Sequence, residues 1–141
     1  MGQKQLSFGI SPPLHGLLQF AAKDRKVRRL WPWKQKEIAA VALGGWVSQR
    51  GGKGLDRDAL VKHLPQPPEE IEPGGPPLVF DRERFEPGTG TLSFKLARSV
   101  EAAFERVCHD VGSKKGKAVA KALRSWLAAN GYEAHLAELD L

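Results

Sequence analysis

A chain of 141 residues with a formal net charge of +6 has room for one ordinary domain, or for two very small units that share a core. No apolar run approaches the roughly 18 residues of a membrane span, and the N-terminus lacks a signal-peptide core, so the chain is expected to be soluble, with no membrane partner. One cysteine, Cys108, excludes an intrachain disulfide and points to a reducing cytoplasm; it is read as a small apolar residue on a buried helix face.

The charge is unevenly spread. Met1 to Gly54 carries ten Lys/Arg against two Asp/Glu, Leu55 to Gly90 carries four against eight, and Thr91 to Leu141 carries eight against six. Both ends are therefore basic (+8 and +2) and the middle acidic (−4), a field that favours a polyanionic partner.

From Lys4 to Ile10 the residues alternate, with Leu6, Phe8 and Ile10 on one side and Gln5, Ser7 and Gly9 on the other, which is the signature of a half-buried strand. Pro12 and Pro13 end it and suit the first turn of a helix, where a missing N–H costs little. Leu14, Leu17, Leu18 and Ala21 give that helix one apolar face. The following run, Lys23 to Arg29, reads either as the solvated end of the helix or as a phosphate-facing basic cluster. Pro32 is expected to open a second helix, with Ile38, Ala42, Leu43, Trp46 and Val47 as its apolar stripe and Gly51-Gly52 as its end.

Residues 52–90 are a different material: an acidic, Pro/Gly-rich linker in which Asp56 is expected to cap a short helix over 56–64. Its proline clusters forbid a longer helix or a central strand. Leu78 to Phe85 is read as a short extended segment.

Thr91 onward repeats the opening. Leu92, Phe94 and Leu96 alternate with Thr91, Ser93 and Lys95, giving a second half-buried strand. Ser99 is the expected N-cap of a helix whose face carries Val100, Ala103, Phe104, Val107, Cys108 and Val111 and which Gly112 closes. Ser113 is expected to cap the next helix, which buries Ala118, Val119, Ala122, Leu123, Trp126 and Leu127 and stops at Asn130-Gly131. Residues 132–141 form a short acidic tail bearing Leu136 and Leu139. Leu6-Ser7-Phe8 recurs as Leu92-Ser93-Phe94, and Ala42 to Val47 recurs as Ala122 to Leu127. The chain is thus read as a tandem duplication, 4–51 and 91–131, joined by the linker.

One strand and two helices of this size leave a strand edge and two apolar helix faces uncovered. Two such units cover one another: their strands pair antiparallel and their four helices interlock. The expected fold is mostly α with a short two-stranded antiparallel ribbon and a single shared core.

LSFKL, a helix, Gly112-Ser113 and a second helix ending in ALRSWL together resemble the ribbon-helix-helix (Arc/MetJ/CopG-like) family of DNA-binding repressors. Two units in one chain are similar to its tandem, TraY-like arrangement, a covalent pseudo-dimer. The resemblance implies a ribbon inserted in the major groove of double-stranded DNA, with Gln5, Ser7, Gly9, Thr91, Ser93 and Lys95 facing base edges. It also implies phosphate contacts at the start of each unit's second helix. Those map onto Ser113, Lys114 and Lys115 in the second unit and onto Trp33, Lys34 and Lys36 in the first, with Lys4 beside the ribbon. The first unit departs from the pattern in Gly9, which offers a base no side chain, and in about six extra residues between its helices. A second copy of the chain on an adjacent site is a further partner in this reading.

His15, His63, His109 and His135 are scattered, so no metal site has its spacing; Gly51 to Gly54 lacks the flanks of a phosphate loop. No enzyme and no cofactor is expected. The function expected is sequence-specific DNA binding by a transcriptional repressor or a plasmid partition or DNA-processing protein. The alternative is an antitoxin or other interaction protein whose linker or tail binds a protein partner, and the packing of Leu136 and Leu139 discriminates between a structural and a binding tail.

Overall fold

The computed structural model describes residues 2–50 and 57–141. Two strands, β1 (Gln3–Gly9) and β2 (Thr91–Ala97), pair antiparallel, and the rest is mostly helical: α1 (Pro12–Arg28), α2 (Gln35–Arg50), α3 (Arg57–Lys62), α4 (Arg98–Val111), α5 (Lys115–Leu127) and α6 (Glu133–Glu138). Each strand leads directly into a pair of long helices.

Period-two patterning sets the ribbon. Leu92, Phe94 and Leu96 are buried, Leu6 and Phe8 are half-buried, and the intervening residues face outward. Beneath the ribbon, Phe8 lies 6.1 Å from Phe94 and 6.3 Å from Phe104, and Trp46 packs edge-on against Phe104 at 5.9 Å. The buried apolar residues of β2 and of all four long helices join in one cluster, against which Leu6 and Phe8 of β1 pack. Within it, α2 packs along α5.

The α1 apolar face is buried as its spacing requires, and the Ser11 hydroxyl caps the helix by accepting from the Leu14 N–H. The end of α1 differs from a simple solvated run. Asp24 and Arg25 are buried; Arg25 donates from Nε to the Pro32 carbonyl and from Nη2 to the Trp31 carbonyl, both at 2.8 Å. That tie holds residues 30–34 as a loop, so α2 begins at Gln35 and not at Pro32. The expected ends at Gly51-Gly52 and Asp56 lie outside the described residues, although α3 falls within the span expected for the linker helix.

Two expected caps are corrected. Ser99 lies inside α4, which starts directly from β2 with Ala97 at the cap position and no side-chain cap. Ser113 donates its hydroxyl to the Lys114 carbonyl, and Lys114 is the residue that precedes α5. Gly112 closes α4 in the left-handed conformation at φ 67°, where a side chain is disfavoured. Val111, beside it in the last turn, is 51 % exposed and so leaves the buried stripe. Trp126 is half-buried, with the Arg25 guanidinium 4.9 Å from its ring centroid.

The linker is laid back along α1. The Gly75 N–H donates to the Val27 carbonyl, the Leu78 N–H to Asp24 Oδ1, and the Gly88 N–H to the Pro12 carbonyl. Between these ties Phe80 packs on Phe20 at 5.3 Å, and the extended segment expected over 78–85 closes in a single 3-10 turn at Arg82–Arg84. The tail is structural: after a wide turn through Gly131 (φ 99°), Tyr132 and Leu136 are buried and Leu139 packs against the core. No described helix is long and apolar enough to cross a membrane.

Candidate nucleic-acid interface

The outer face of the ribbon presents four facing pairs: Gln3 and Ala97, Gln5 and Lys95, Ser7 and Ser93, Gly9 and Thr91. All six sequence-expected ribbon residues therefore meet on one surface. Gln5, Ser7, Gly9, Thr91 and Lys95 are exposed and Ser93 is half-exposed. At the centre, the Ser93 hydroxyl donates to the Ser7 hydroxyl at 3.0 Å. Gln5 and Lys95 make the polar end of the face, with an amide that donates and accepts beside an ammonium that only donates. Gly9 and Thr91 make the bare end.

The lysines around the ribbon divide into two groups. On the side of α4, Lys4 pairs with Glu101 at 3.2 Å and Lys115 pairs with Glu105. The Lys115 ammonium holds the Glu105 carboxyl below its ordinary range, and Glu105 in turn raises Lys115. Both cations are thus already matched by carboxylates. Lys114 is exposed, and the start of α5 lies against the end of β1: a Cβ at Gly116 would sit 3.8 Å from the Gly9 carbonyl.

On the side of α1 a groove of about 740 Å³ runs beside β2, and its walls include Lys23, Lys26, Trp33, Lys34, Lys36 and the ribbon residues Thr91 and Ser93. The four lysines are exposed and have no ion-pair partner among the described residues. Trp33, Lys34 and Lys36 are the residues expected at the start of the second helix; for Lys23 and Lys26 the sequence admits both a solvated and a phosphate-facing reading. The signal that sequence reasoning missed is a spacing: Gln19, Lys23 and Lys26, at steps of four and three, lie on one face of α1 and line the groove together. The neighbouring charged residues Asp24, Arg25 and Arg28 turn the other way into structural contacts.

Among the described residues no cluster of His, Cys, Asp and Glu could hold a metal ion. Cys108 is buried, and burial pushes its thiol up. No family model, no curated protein and no solved structure matches the chain.

Proposed function

We propose that the chain is a sequence-specific double-stranded DNA-binding protein of ribbon-helix-helix type, built as a covalent pseudo-dimer of two repeats around one core. The observation that carries the reading is the ribbon register. In the sequence duplication Ser7 corresponds to Ser93, Leu6 to Leu92 and Phe8 to Phe94; in the ribbon Ser7 pairs with Ser93 itself, Leu6 with Phe94 and Phe8 with Leu92. A residue facing its own counterpart, flanked by exchanged neighbours, is the pattern of a two-fold axis through a self-complementary pairing. One chain thus supplies both halves of what is otherwise a dimer.

The chemistry of the outer face suits base readout. A two-stranded ribbon fits the B-DNA major groove, Lys95 suits guanine O6 and N7, Gln5 suits adenine, and Ser or Thr serves either. The lysines supply phosphate affinity that is independent of sequence. Transcriptional repression, or DNA processing or partition of a plasmid, is the role such binding serves.

Selection from a random duplex pool at near-physiological salt tests the reading, because non-specific basic binding fades there while base readout persists. An enriched motif supports it. Retention of DNA that only weakens with salt, with no motif, sinks it and turns attention to the second reading, a protein partner on the linker. That reading draws on Val79, which stands 88 % exposed on the linker; the tail, packed on the core through Leu136, does not contribute to it.

A further inference from the structure

Four lysines without an ion-pair partner among the described residues line the α1 groove and no carboxylate does, whereas on the α4 side Glu101 and Glu105 pair with Lys4 and Lys115 and leave Lys114 exposed without an ion-pair partner among the described residues. The two flanks of the ribbon are therefore electrostatically unequal although its backbone pairing is symmetric about Ser7 and Ser93. A duplex whose major groove receives a ribbon passes one phosphate backbone along each flank, since the groove is about 12 Å wide and bounded by both strands.

We infer that the protein grips the DNA backbone unevenly, with the phosphates flanking β2 held by Lys23, Lys26, Lys34 and Lys36 and those flanking β1 and α4 held by fewer free cations and so more weakly. The inference rests on the DNA reading above and adds to it a polarity and two residues, Lys23 and Lys26. Its physical basis is counterion release: a phosphate neutralised by a free lysine displaces a condensed cation, whereas a lysine already matched by a carboxylate brings little net charge to the backbone. The groove is also placed for the task. It borders Thr91 and Ser93 directly, so a backbone lying in it leaves the outer face of the ribbon against the bases.

Polarity follows from this arrangement. The heavier grip lies on the flank of β2 whichever bases are read, so on an asymmetric motif, where the bases fix the orientation, one phosphate backbone carries more of the contact than the other.

Phosphate-ethylation interference on the duplex recovered by selection tests the inference, using the full chain and the Lys23→Gln/Lys26→Gln double variant. Both substitutions are at exposed positions, and circular dichroism of the variant checks its fold. The expected result is an interference pattern heavier on one flank of the motif, losing that excess in the double variant. The slope of log affinity against log salt should also fall by about two, one for each phosphate that the variant leaves without its lysine. An even pattern, or an uneven one unchanged in the double variant, overturns the inference while leaving DNA recognition standing. If the selection yields no motif, the DNA reading fails and the inference falls with it.

Discussion

The Tyr132 hydroxyl donates to Asp24 Oδ2 at 2.7 Å, joining the first turn after α5 to the last turns of α1 across 108 positions of sequence. Arg28 Nη2 reaches the same carboxylate oxygen at 2.5 Å, and the Leu78 N–H reaches the other at 2.8 Å. One buried carboxylate thus gathers α1, the linker and the tail. Removing Tyr132 Oη by Tyr132→Phe leaves Asp24 short of a donor in a site where it is 2 % exposed, and the expected loss is about 1–3 kcal/mol in urea unfolding. Asp24→Asn should cost at least as much, because it also removes the charge that Arg28 matches.

The same trio sets a pH dependence. Burial opposes ionisation of Asp24, but the donors from Tyr132, Leu78 and Arg28 outweigh it and leave the carboxyl below its ordinary range. A carboxyl depressed in the folded state stabilises above its unfolded pKa of about 4 and loses that contribution as pH falls through the folded value. Tyr132 moves the other way: burial first, and then the bond to Asp24, push its phenol up to about 12. Its contribution is complete below about pH 10 and is lost as pH rises towards the folded value. Thermal unfolding from about pH 2 to about pH 12 should therefore show a fall at each end. In Tyr132→Phe the alkaline fall should shrink; an unchanged alkaline limb would remove Tyr132 from it.

Arg25 is the second buried tie. Its two donors hold the Trp31 and Pro32 carbonyls, and its guanidinium lies 4.9 Å from the Trp126 ring centroid. Arg25→Met keeps much of the stem and removes both donors, so the loop before α2 loses its anchor and the carbonyls lose their partners. The expected destabilisation is about 2–4 kcal/mol, measured by denaturant midpoint. Lys26→Met, next to it and exposed, serves as the comparison and should stay within about 0.5 kcal/mol.

Much of this architecture was legible because it follows from local pattern. Alternation gave both strands, and three-and-four spacing gave the apolar faces of Leu14 to Ala21 and Ala118 to Leu127. The long-range terms were not legible. Nothing in the sequence distinguishes Asp24 and Arg25 from their charged neighbours, because their burial depends on Tyr132 and on the Trp31-Pro32 carbonyls arriving from elsewhere. The caps at Ser99 and Ser113 failed for a related reason: β2 runs straight into α4, and Gly112 already sets the turn into α5, so neither helix start needs the serine. On the outer face, period two decided which residues of the ribbon project, whereas which of them face each other is set by the register. The pairing of Lys4 and Lys115 with glutamates was hidden, since Glu101 and Glu105 belong to another element.

Two glycines separate packing from propensity. A Cβ at Gly16 would lie 2.5 Å from the Glu86 carbonyl oxygen and 2.8 Å from Phe85 Cζ, where the linker crosses α1. Gly16→Ala should displace the linker backbone and cost about 1–3 kcal/mol. At Gly45, exposed on α2, a Cβ meets nothing within 4 Å; there Gly45→Ala should stabilise by about 0.5–1 kcal/mol through helix propensity alone. Opposite signs in the two melting temperatures are the expected outcome. Equal effects would mean that the linker does not rest on α1 in solution.

Lys95 and Gln5 share the polar end of the ribbon, while Gly9 and Thr91 share the other. If the outer face reads bases, the two ends cannot read the same ones, so the selected motif should be asymmetric rather than a perfect palindrome. Lys95→Ala removes the donor best suited to guanine, and the expected loss of specific binding is about 1–3 kcal/mol, with preference relaxed at one position of the motif. Lys34→Ala, in the groove beside the ribbon, should instead weaken binding to all duplexes alike and lower the salt slope by about one. Titration of both variants against the selected motif and a scrambled duplex separates the two roles. A palindromic motif bound by one chain, or a Lys95→Ala variant with unchanged affinity and preference, would remove the ribbon's polar end from base readout.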